Sequence, residues 1–174
     1  MSITNVLRGL LLLWFAACSQ QSQPKPNNAL GIPLPDWNVS REQAEPLLPG
    51  LHESKPIDAP QERGVLKWYP RGSIAGVVFR ESVALIGEDE KFRGVMLAYN
   101  AVIEKGENTR KLREHLEGTL GPAIPVGQCW FEWKAHGSYY RLAAPYLIVG
   151  DPSIVKIVER LSLPQNCDEP AGRQ

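Results

Sequence analysis

Trp133-Lys134-Ala135-His136-Gly137-Ser138-Tyr139-Tyr140-Arg141-Leu142-Ala143-Ala144-Pro145-Tyr146-Leu147-Ile148-Val149-Gly150 decides how this chain folds. It opens on Trp-x-x-x-Gly-Ser, a pattern that also stands earlier as Trp68-Tyr69-Pro70-Arg71-Gly72-Ser73. Both copies run into β-branched and apolar residues, and both end on glycine followed by an acid: Gly87-Glu88 in the first, Gly150-Asp151 in the second. Fourteen residues separate Gly72 from Gly87 and twelve separate Gly137 from Gly150. An even difference keeps every side chain on the same face of a strand. The two stretches therefore read as matching corners of duplicated strand pairs, with Gly72 and Gly137 supplying the turn geometry.

Working outward, each strand pair follows a helical signal. Ser40 is placed to cap Arg41-Glu42-Gln43-Ala44-Glu45-Pro46-Leu47-Leu48, with Gln43 in the capping-box position and Pro46 keeping the helix short. Asn108-Thr109 precedes a run in which Leu112, Leu116 and Leu120 share one helical face, and Gly121-Pro122 stops it. Residues 92–103 predict a further strand. Residues 151–161 carry two signals. Asp151, Pro152 and the spacing of Ile154, Ile157, Val158 and Leu161 argue helix. Their position after the second strand pair argues strand, which is the favoured expectation. The predicted fold is α+β: tandem helix–antiparallel β-hairpin units spanning about 36–105 and 106–167, with helices packed on one face of a sheet.

No catalytic constellation emerges from the residue pattern. Ser73 and Ser138 follow glycine but lack the second glycine of a nucleophile elbow. His136 and Ser138, two apart on a turn with no acid nearby in sequence, make a poor base–nucleophile pair. Glu88, Asp89 and Glu90 form one acidic turn, whereas a glycosidase needs two carboxylates facing each other across a cleft. Two cysteines and three scattered histidines show no metal-ligand spacing, so neither metal nor other cofactor is expected. Charge is balanced, without a basic stripe, which removes nucleic acid from the expected partners.

The aromatic residues carry the functional expectation. Trp68, Tyr69, Trp130, Trp133, Tyr139 and Tyr140 gather around the two related corners, with Arg71, His136 and Arg141 beside them. Trp130 and Trp133 differ by three, and Tyr139 and Tyr140 by one, so strand parity sends each pair to opposite faces. One member of each pair is expected off the core face. Exposed aromatics beside Arg or His have the composition of a protein-recognition surface. Covering of both sheet faces is the competing expectation.

The chain termini speak to location. Arg8 precedes the short apolar run Gly9–Phe15, far shorter than the ~20 residues a membrane span needs. The run ends in Phe15-Ala16-Ala17-Cys18, which resembles the lipobox of bacterial lipoproteins with phenylalanine where leucine is usual. The resemblance implies removal of residues 1–17 as a signal peptide and lipidation of Cys18. With Ser19 rather than aspartate next, it also implies an outer-membrane destination. Export leaves Cys129 and Cys167, which invite a disulfide in an oxidising compartment or stay as two free thiols. The Pro- and Gln-rich stretch 18–35 reads as a flexible tether, residues 36–167 as one globular domain, and 168–174 as a frayed tail.

Helix–hairpin units on a small envelope lipoprotein resemble SmpA/OmlA-type assembly lipoproteins, and the doubled unit is similar to secreted β-lactamase-inhibitor proteins. Both likenesses are architectural. The expectation is a non-enzymatic lipid-anchored envelope protein that binds a protein partner or envelope component through an aromatic sheet face. An envelope hydrolase, or a structural subunit of an outer-membrane assembly complex, is the alternative.

Overall fold

The computed structural model describes residues 30–54, 65–100, 106–126 and 130–160. Eight strands form one continuous sheet: β1 (His52–Ser54), β2 (Val65–Trp68), β5 (Ser82–Ile86), β6 (Phe92–Ala98), β7 (Ile124–Val126), β8 (Trp130–Ala135), β9 (Ser138–Ala143) and β10 (Tyr146–Gly150). Two more, β3 (Ser73–Ile74) and β4 (Val77–Val78), make a separate small hairpin. The sheet order is β1-β2-β5-β6-β10-β9-β8-β7, and every pairing is antiparallel. The helices among the described residues are α1 (Arg41–Ala44), α2 (Glu107–Leu120) and α3 (Val155–Arg160).

This architecture corrects the expected fold class. The molecule is a mostly antiparallel β-sheet protein, not a tandem of helix–hairpin units with helices on one face. Two physical reasons stand out. Pro46 lies in a 3₁₀ turn, Glu45–Leu47, that follows a single turn of α1, so the first helix never becomes a packing layer. The strands of the two sequence halves also merge at β6 and β10, where Leu97 faces Leu147 and Val95 faces Val149.

The matching-corner reading changes too. In the second Trp-x-x-x-Gly-Ser stretch, His136 and Gly137 both have positive φ and form the two-residue turn joining β8 to β9. In the first, Gly72 (φ 105°) instead leads the chain out of the sheet into the β3–β4 hairpin. Trp68 therefore lies opposite Ser82, whereas Trp133 lies opposite Tyr140.

One sheet face carries the larger core. Leu66, Trp68, Val95, Leu97, Trp133, Tyr140, Leu142, Leu147 and Val149 pack there with Leu112 and Leu116 of α2. Residues 30–35 lie across the same core: Leu30, Ile32 and Leu34 point inward in strand-like alternation while Gly31 and Pro33 stay exposed. The domain therefore begins by Leu30, not after Pro35, and the last six residues of the expected tether belong to it.

The opposite face is covered over its centre by a 3₁₀ turn, Pro152–Ile154, running into α3. Ile154 and Val158 bury Leu85, Tyr139 and Ile148. Residues 152–160 are thus helical where a strand was expected. The Asp151 carboxylate accepts the Ser153 amide at 2.8 Å, and Pro152 occupies the first turn. A glycine pair admits this layer. Gly94 on β6 faces Gly150 on β10, and a Cβ on either would collide with the neighbouring strand's carbonyl oxygen and with Ile154 Cδ1.

Candidate functional site

The aromatic residues obey strand parity, but little of that surface is free. Trp133 and Tyr140 sit in the larger core, and Tyr139 lies under α3 on the other face. Trp130 is half-buried. Trp68 is 1% exposed. Burial therefore takes Trp68, Trp133, Tyr139 and Tyr140 out of any flat contact surface: the larger core encloses Trp68, Trp133 and Tyr140, and the turn at 152–154 with α3 covers Tyr139. Tyr69, Arg71 and His136 are not enclosed: all three are exposed. Ser138 is buried and its Oγ accepts the Trp37 indole N–H at 2.9 Å, an occupation unrelated to His136. Of the acidic turn, Glu88 pairs with Arg160 and Asp89 with Arg93. Cys18, Cys129 and Cys167 lie outside the described residues.

Strand register assembles one group that residue-type reasoning missed. The two-residue turn at His136-Gly137 sets Glu132 opposite Arg141. Glu132 Oε1 accepts from Tyr139 Oη at 2.6 Å, from Arg141 Nε at 2.8 Å and from Arg141 Nη2. The Trp130 ring lies 5.3 Å from the guanidinium. Arg141 is only 5% exposed, so the pair is closed and charge-compensated. Burial, then the hydrogen bond to Glu132, push the Tyr139 phenol far above its ordinary range. Counting outward from the turn would have found the Glu132–Arg141 pair in the sequence.

The arrangement with unmet chemistry surrounds Trp68. A cavity of about 270 Å³ is lined by Pro33, Pro46, Leu47, Pro49, Trp68 and Arg71. Pro33 comes from the extended segment before α1, and Pro46 to Pro49 from the turn after it. The Tyr69 amide donates to the Pro49 carbonyl at 3.3 Å, which holds that turn against the end of β2. Trp68 lines this cavity, and its Nε1–H is buried with no hydrogen-bond partner among the described residues. Burying an amide-like donor without an acceptor costs about 1–3 kcal/mol.

The two motif tryptophans differ at this atom. Trp133 Nε1 donates to the carbonyl of Gly121, the C-terminal cap of α2, at 3.0 Å. Among the described residues, the first stretch has no long helix whose end could serve Trp68; it has a proline-walled cavity instead.

The strand surface next to Trp68 is electrostatically uneven. Tyr69, 54% exposed, stacks on His52 and donates from Oη to Glu81 Oε1 at 2.9 Å. Lys67 Nζ lies 2.9 Å from Glu81 Oε2. Hydrogen bonds from Lys67 and Tyr69 hold the Glu81 carboxyl below its usual range, and the bond to Glu81 with its charge raises the Tyr69 phenol. Those charges are mutually occupied. Arg71, exposed at the cavity wall, makes no ion pair or hydrogen bond among the described residues. The residue that carries the buried donor and a cation unpaired among the described residues thus line one cavity. Comparison with protein-family models, with curated proteins and with solved structures found no match to this chain.

Proposed function

We propose that this chain is a lipid-anchored protein of the bacterial cell envelope whose domain works by binding, not by catalysis, with the Trp68 cavity as its contact point. The Trp68 Nε1–H and Arg71, both without a partner among the described residues and both belonging to residues that line one cavity, carry the reading, because a ligand there could satisfy the two together. The lipobox-like Phe15-Ala16-Ala17-Cys18 supports the anchor, and Ser19 supports an outer-membrane destination. Pro33 stands fifteen residues after Cys18, so at about 3.3–3.6 Å per residue the cavity works within about 50 Å of the lipid surface. A partner at or near the membrane face suits that reach.

Two measurements test the two parts. Cys18→Ala should abolish metabolic palmitate labelling and release the protein from the membrane fraction; retained labelling would overturn the anchor. A photo-crosslinking amino acid at Leu47, on the cavity wall, should give a discrete adduct in intact cells that Arg71→Glu removes. Absence of an adduct, or one indifferent to Arg71, would overturn the contact point.

A further inference from the structure

We infer that the Trp68 cavity receives a carboxylate carried on an apolar stem. The inference rests on reading this cavity as the contact point and names the chemistry it recognises. At Trp133 the indole N–H is met by a neutral helix-terminal carbonyl from within the chain. Among the described residues Trp68 has no acceptor, and a guanidinium without a counter-charge among them lines the same cavity.

An acceptor suited to both groups is anionic and offers two oxygens, one for Nε1–H and one for Arg71. A carboxylate has that form. Pro33, Pro46, Leu47 and Pro49 offer no charge and no side-chain donor, so the stem that enters with the carboxylate is apolar. A volume of about 270 Å³ suits a short aliphatic acid or the last residue of a peptide chain, not a folded surface.

Entry needs a small movement, because the Trp68 nitrogen is covered. The wall best placed to yield is the Leu47 turn. It is a three-residue 3₁₀ turn whose Leu47 side chain is already 36% exposed, and Gly50 (φ 70°) stands just beyond it. Arg71, exposed on the wall, is reached first, and a shift of the Leu47 turn widens the cavity toward the Trp68 ring. The recovered hydrogen bond favours the occupied state.

Nuclear magnetic resonance of the full chain in detergent micelles, labelled at tryptophan nitrogen, reads this directly. The Trp68 indole resonance is identified by its loss in Trp68→Phe. Titrants are butyrate, butyramide, a tripeptide ending in free valine, and its C-terminal amide. Saturable movement of the Trp68 resonance with either acid, at least tenfold weaker in Arg71→Gln and missing with both amides, is the expected result. Movement with butyrate points to a free aliphatic acid as the source, and movement with the peptide acid alone points to a chain terminus; both support the inference. Equal response to acids and amides would overturn the carboxylate while leaving the cavity as a binding site. A silent Trp68 resonance alongside an intact Leu47 crosslink would overturn the inference and spare the proposed function. Should both be silent, both fall. Arg71 is exposed, so its variant remains informative even if Trp68→Phe fails to fold.

Discussion

At the scale of single residues, Trp68 and Trp133 form a built-in comparison. Both rings are buried in the same core, but one indole N–H is bonded and the other is not. Phenylalanine keeps much of the aromatic packing and deletes the donor. Trp133→Phe should therefore lose about 0.5–1.5 kcal/mol for the hydrogen bond to Gly121, on top of a transfer loss common to both variants. Trp68→Phe removes an unsatisfied donor, which offsets part of its transfer loss. Urea denaturation of the two variants should show Trp133→Phe to be the less stable by about 1 kcal/mol or more, and equal losses would contradict the unpaired assignment. Sequence pattern places Trp68 and Arg71 together and marks both as contact residues. It does not show which indole finds an acceptor, because Gly121 and Trp133 meet only through the packing of α2 on β8. Parity also sends Tyr139 and Tyr140 to opposite faces correctly; exposure depends on what lies over those faces, which parity does not address.

At the scale of elements, the segment after Asp151 shows how a local signal and a positional one can conflict. Cap, proline and apolar spacing all indicate helix, while position in the supposed repeat indicates strand. The local chemistry prevails because β10 already has partners on both sides, β6 and β9, so a strand turning straight back from it has no place beside it. The helical layer depends on Gly94 and Gly150. Their facing backbones leave room for Ile154, and a methyl group at either position meets backbone oxygen, which cannot move as a side-chain tip can. Gly94→Ala should destabilise the fold by about 1–3 kcal/mol, as overpacking does, by lifting the 152–160 layer from the sheet. Hydrogen exchange would show the loss concentrated in α3 and Tyr139, with α2 retaining its protection. Uniform loss, or none, would assign the glycine pair a different role.

At the scale of the whole molecule, the sheet has no dividing line between its sequence halves. Strand identities and turn chemistry are legible along much of the chain, since each strand is a short run with its own alternation. Sheet order is not, because pairing β6 with β10 is a long-range choice that no local pattern encodes. That choice fuses the core: Leu97 and Leu147 face each other across the seam, both fully buried, amid residues from β2 through β10. Neither half keeps a closed apolar face without the other, so the two should unfold as one. Tryptophan fluorescence and far-ultraviolet circular dichroism should trace the same urea transition. Leu97→Ala and Leu147→Ala each remove a large buried side chain, at about 2–5 kcal/mol. Either variant should move the single midpoint to lower urea with an unchanged slope, and the double variant should deviate from additivity because the two positions are paired across the seam. A transition that splits in two, with one half surviving the other, would mean that β6 and β10 are docked edges of separate cores and not the centre of one.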